Sequence, residues 1–156
     1  MTHVSARPRI LFITRLWDPA EPVVQTDSEL VRQWGEINEM RMLLVRKLRA
    51  AFPEQFIGGI QDSTFAQTQC PDLILSEHST WKRIYLHRMK HSEICIASTG
   101  LHQSSGWKIA EYLAAGRAIV SEPLCYEVPG PFQAGENYPV SYTHLRAHET
   151  CADLVC

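Results

Sequence analysis

The chain has 156 residues, 15 basic and 17 acidic side chains, a formal net charge of −2 and 45% hydrophobic residues. That length suits one domain able to bury a real core. Balanced, dispersed charge gives no footing for nucleic acid or an anionic membrane, and no apolar run has the length of a membrane span or the form of a signal peptide.

Apolar runs and amphipathic segments alternate along the chain. Ile10-Leu-Phe-Ile-Thr14 predicts a buried strand, closed by Trp17-Asp-Pro-Ala and Glu21-Pro. A long helix follows from Asp27, its N-cap candidate, to Ala51. Leu30, Trp34, Ile37, Met40, Leu44 and Leu48 recur there at spacings of three and four, and Pro53 ends it. Phe56-Ile-Gly-Gly-Ile60 is the second predicted strand. Gly58-Gly59 reads as a tight turn at its end, because no GxGxxG fingerprint surrounds it. A polar, weakly helical loop leads to a short third strand, Asp72-Leu-Ile-Leu75.

Thr80 to Lys90 reads as a helix with Trp81, Ile84, Tyr85 and Met89 on one side, and Glu93-Ile-Cys-Ile-Ala97 as a fourth strand. A glycine-bounded polar loop, Gly100 to Gly106, precedes a helix from about Trp107 to Ala115, with Gly116 at its C′ position. Ala118-Ile-Val120 is the fifth strand, and Pro123 to Gly135 reads as loop. Strands apolar on both faces, alternating with helices, predict a Rossmann-like, doubly wound parallel α/β sheet whose ligands lie beyond the carboxyl ends of its strands.

The last stretch reads differently. Val140-Ser-Tyr-Thr-His-Leu-Arg-Ala-His-Glu-Thr150 matches, codon by codon, a translated transposase mosaic end of a sequencing adapter with its standard extension. Leu154, Val155 and Cys156 match the primer beyond a variable index. Residues 139–156 are therefore set aside before fold reasoning, as the artefact tail of a metagenomic fragment truncated at its C-terminus. His144 and His148, four residues apart with Cys151 and Cys156 behind them, have zinc-ligand spacing, but the adapter origin removes that site, and no metal is expected. Cys70, Cys95 and Cys125 are then left, an odd number without CxxC spacing, as reduced thiols of a cytoplasmic protein.

The densest chemistry lies in Thr99-Gly-Leu-His-Gln-Ser-Ser-Gly-Trp-Lys-Ile-Ala-Glu111, between a strand and a helix. Free backbone N–H groups at such a helix start favour an anion such as phosphate, and Ser104 and Ser105 add hydroxyl donors. Lys108 in the first turn opposes the helix dipole, so its presence points to an anionic partner. The plainer reading has Ser104 or Ser105 capping the helix, Lys108 in solvent, and Lys108–Glu111 as an i,i+3 ion pair. In the functional reading the Glu111 carboxylate accepts hydrogen bonds from sugar hydroxyls.

His78, His87 and His91 read as surface residues, and Trp17, Trp34 and Trp81 as core. Glu122, after the fifth strand, is either a ligand contact or simply the residue where Pro123 ends the strand.

Ser92 to Tyr138, and Glu111-Tyr-Leu-Ala-Ala-Gly-Arg-Ala-Ile-Val-Ser-Glu122 above all, resembles the C-terminal, donor-binding half of GT-B glycosyltransferases. Ile10-Leu-Phe-Ile-Thr-Arg-Leu16 resembles the first strand of that half. The resemblance implies a nucleotide-sugar donor with Glu111 on its ribose and Arg15 on its diphosphate. His102, Gln103, Ser104, Ser105, Gly106, Lys108 and Glu122 complete the expected donor site, and no cofactor is implied. The acceptor is open, and its N-terminal domain is not found in this chain, so the fragment is expected to be inactive alone.

Two positions depart from the family's pattern. Gln103 stands where a second Glu precedes Glu111 by eight residues, and Ala20 where a Lys often follows the Arg by five. A non-catalytic nucleotide- or phosphate-binding α/β module is the alternative. A dehydrogenase-type dinucleotide domain fits less well, because Arg15-Leu-Trp-Asp-Pro replaces the glycine-rich turn.

Overall fold

The computed structural model describes residues 7–126 and 132–139. Four strands form one all-parallel sheet: β1 (Ile10–Thr14), β2 (Phe56–Ile60), β3 (Ile94–Ala97) and β4 (Ala118–Ser121), in the order β2-β1-β3-β4. The helices are α1 (Pro22–Gln25), α2 (Ser28–Ala51), α3 (Thr64–Gln69), α4 (Lys82–Lys90) and α5 (Trp107–Ala114). The fold is thus the expected Rossmann-like α/β sheet flanked by helices. Val140–Cys156, with the His144/His148 pair, lies outside the described residues.

β1 is buried along its whole length because both its faces are covered. Ile10 and Phe12 point into one core with Leu44, Val45 and Leu48 of α2 and Ala66 of α3. Leu11 and Ile13 point into the opposite core with Met89 of α4 and Ile109 and Tyr112 of α5. This period-two alternation across a central strand keeps Ile10 to Ile13 all apolar. Tyr138, 4% exposed, joins the second core and stacks on Phe132.

Local signals set the helix ends as expected. The Asp27 carboxylate accepts from the Glu29 and Leu30 amides, and Gly116 takes φ 63 beyond α5, where a side chain would be strained. The predicted third strand is not formed. Pro71–Leu73 makes a 3-10 turn instead, Pro71 starting it without needing an amide donor, and only Ile74 bridges to Ile60 at the sheet edge. The four strands run outward from β1 on one side and from β3 on the other, so the order reverses between β1 and β3.

Gly58 and Gly59 lie inside β2 rather than in a turn. A Cβ on Gly58 would sit 2.1 Å from the Phe12 carbonyl oxygen of the paired strand, and one on Gly59 would sit 2.6 Å from the Leu73 carbonyl oxygen. The glycines admit close backbone approach. Gly58→Ala should therefore destabilise the fold by about 2–4 kcal/mol, as overpacking does in well-filled cores. Gly35→Ala in α2, where nothing lies within 4 Å of an added Cβ, should stabilise it by about 0.5–1 kcal/mol. Urea denaturation of both variants measures the contrast.

Candidate functional site

A cavity of about 540 Å³ opens at the carboxyl ends of β1 and β3, where the strand order reverses. Ile13, Thr14 and Arg15 leave β1 into its floor, and Ala97, Ser98 and Gly100 leave β3 into it. Trp107, Lys108 and Glu111 of α5 form one wall, and Tyr85 of α4 lines the cavity beside Glu111. Spacings of one, three and four put the three α5 residues on a single stripe of that helix.

α2 holds the β1 loop through two buried polar residues. The Asn38 side chain accepts from the Trp17 amide (3.0 Å) and donates to the Trp17 carbonyl (2.6 Å). One turn later, Arg41 donates to the carbonyls of Arg15 (2.8 Å) and Thr99 (3.4 Å) and to the Ser98 hydroxyl (3.3 Å). Its guanidinium also lies 4.7 Å from the Trp17 ring centroid. Arg41 is 5% exposed, and burial draws its pKa down to about 10, against the attraction of Glu122. It is still charged at neutral pH.

Lys108 turns inward rather than to solvent. Its ammonium donates to the Ile13 carbonyl. Burial, then the charge of Arg41, lowers its pKa to about 8; Glu111 opposes the shift and Arg15 adds to it. Glu111 accepts from the Tyr85 hydroxyl at 3.1 Å. Exposed ion pairs among the described residues join Arg7 to Glu54, Arg32 to Glu29 and Glu36, and Arg46 to Asp72. Lys108–Glu111 is not one of them.

The loop between β3 and α5 is tied at both ends. The Thr99 amide and hydroxyl donate to Glu122 Oε2 at 2.6 and 2.7 Å, so Glu122 clamps the loop where it leaves the sheet. The Gly100 amide donates to the Ser104 carbonyl at 2.9 Å. Gly106 is the N-cap of α5 with no side-chain cap bond, so neither Ser104 nor Ser105 closes that helix end.

The nine residues expected at the site therefore divide. Arg15, Ser104, Gly106, Lys108 and Glu111 line the cavity. His102 and Gln103 face a second depression of about 340 Å³, shared with Glu29, Arg32, Gln33 and Glu36 of α2. Ser105 lines neither, and Glu122 serves the loop.

Trp17, Arg41, Tyr85 and Trp107 line the cavity but are not among the nine residues expected there. Arg41 sits on the face of α2 that continues through Val45 and Leu48, so a charge on a core stripe was its available signal. Tyr85 and Trp107 had been assigned by helical position alone. Two of the tryptophans read as core are not core: Trp17 lines the cavity, and Trp81 is 53% exposed.

His87 and His91 stack at 4.2 Å, and no group of three metal-ligating side chains occurs among the described residues. Cys70 and Cys95 are free and buried, and Cys125 is free and exposed. No helix among the described residues is long and apolar enough to cross a membrane. No family model, curated protein or solved structure matches the chain.

The depressed Lys108 amine fixes a stability test. Its folded pKa of about 8 lies below its ordinary 10.5, so between those values the unfolded chain binds more protons and stability rises with pH. Lys108→Met should remove that rise and be more stable at pH 7 by about 1–3 kcal/mol, because a buried charge is replaced by an apolar chain. Denaturation at pH 7 and 9.5 measures both effects.

Proposed function

We propose that the cavity binds the diphosphate of a nucleotide sugar, and that the chain is the donor-binding part of a GT-B-like glycosyltransferase. One observation carries the reading. Lys108 is buried in a cavity wall, which lowers its pKa, and the neighbouring guanidinium groups of Arg41 and Arg15 lower it further. Like charges gathered in a low-dielectric site repel one another, and an anion relieves the repulsion. The open N-terminus of α5 adds backbone donors on the same side.

In such a transfer, the bond from the sugar's anomeric carbon to the diphosphate oxygen breaks with its electron pair left on the phosphate, while an acceptor hydroxyl oxygen bonds that carbon and gives its proton to a base. Arg15, Lys108 and the α5 N-terminus would stabilise that developing charge as preorganised donors. Glu111, steadied by Tyr85, would accept hydrogen bonds from ribose hydroxyls. The acceptor and any base come from outside this chain.

Gln103 lines the second depression rather than the cavity, and this favours a second reading, a nucleotide- or phosphate-binding module that binds without transfer.

Calorimetric titration with UDP- and GDP-sugars should show saturable binding. Lys108→Met should weaken it by about tenfold to a hundredfold, the worth of a charge-assisted hydrogen bond. Glu111→Ala should weaken nucleotide-sugar binding and spare pyrophosphate. Affinity should fall as pH rises through 8, because Lys108 loses its proton. Unchanged binding in both variants would sink the assignment.

A further inference from the structure

Trp107 is the first residue of α5 and lines the cavity, yet it is 88% exposed. It is a far more open aromatic than Trp81 or Tyr126, each 53% exposed. An indole ring left in water at the mouth of a cation-lined cavity is apolar surface that a bound molecule can cover.

The order of residues along α5 says which part of the ligand reaches it. Trp107 is at the rim, Lys108 beside it, and Glu111 one turn further in next to Tyr85. Four residues of helix separate Trp107 from Glu111 by about 6 Å along the axis. A diphosphate seated at Lys108 with its ribose at Glu111 directs its other substituent toward the rim.

We infer that Trp107 is a specificity-determining platform on which the ring of the transferred sugar lies. The inference rests on the nucleotide-sugar reading above. The apolar C–H face of a pyranose covers the indole face, while its hydroxyls stay in water at the open mouth. The contact is non-covalent and consumes no co-reactant. Because the side chain makes up part of the rim rather than the core, its truncation leaves the fold intact.

The test compares wild type, Trp107→Ala and Trp107→Phe by calorimetry with UDP, GDP and ADP and with UDP-glucose, GDP-mannose and ADP-glucose, with pyrophosphate as the base-free control. For the pair that the wild type binds, Trp107→Ala should weaken the sugar-linked form about tenfold and the bare diphosphate less than about twofold, from ring area returned to water. Trp107→Phe, which keeps a flat ring, should hold most of the affinity. Equal losses for both forms, or none for either, would overturn the platform while leaving the donor site standing. If the wild type binds pyrophosphate but no nucleoside diphosphate, the nucleotide-sugar reading fails, and the platform with it.

Discussion

The carboxyl end of the sheet is organised around the buried guanidinium of Arg41. Its donors reach the Arg15 and Thr99 carbonyls and the Ser98 hydroxyl, so one side chain of α2 joins the loops that leave β1 and β3. Those are the neighbouring strands between which the order reverses, and the gap between their loops is the cavity. Burying such an ion costs several kcal/mol unless its hydrogen-bonding groups are satisfied. Here carbonyls and a hydroxyl meet the donors, while the positive charge persists and adds to the burial that lowers the Lys108 pKa.

The same constraint accounts for the surroundings. Glu122 takes both donors of Thr99, which holds the Thr99 carbonyl where Arg41 meets it. Beyond that clamp, His102 and Gln103 adopt consecutive left-handed conformations, φ 52 and 58, at about 1 kcal/mol or more each. The Gln33 side chain accepts from the His102 amide and supports the turn. The loop is thereby folded back against α2, and the α5 N-terminus faces the cavity without a side chain across it.

Much of the fold was legible from the chain itself. β1 shows as four apolar residues, Ile10 to Ile13, ahead of Thr14 and Arg15, α2 as an Asp27 cap followed by a long three-four pattern, and the end of α5 as Gly116. Asp72–Leu75 was misread because a short apolar run after a proline looks the same whether it pairs fully or makes one edge bridge. Gly58-Gly59 was misread because close approach between backbones is a property of the partner strand, here the Phe12 carbonyl, and not of the local sequence. At the site, the loop and Lys108 were legible from helix-terminus electrostatics. Arg41 was not, since its role depends on two loops distant in sequence. The splitting of His102 and Gln103 away from Lys108 depends on backbone dihedrals that composition does not specify.

The cavity's cations are poised for an anion. The most direct measurement is the pKa of Lys108, followed by NMR of its side chain in free protein and with saturating pyrophosphate. A value near 8 is expected in the free protein, rising toward or above the ordinary lysine value when the diphosphate binds and offsets Arg41 and Arg15. An amine that titrates at its ordinary value in the free protein, or one that does not move when pyrophosphate is added, would contradict it.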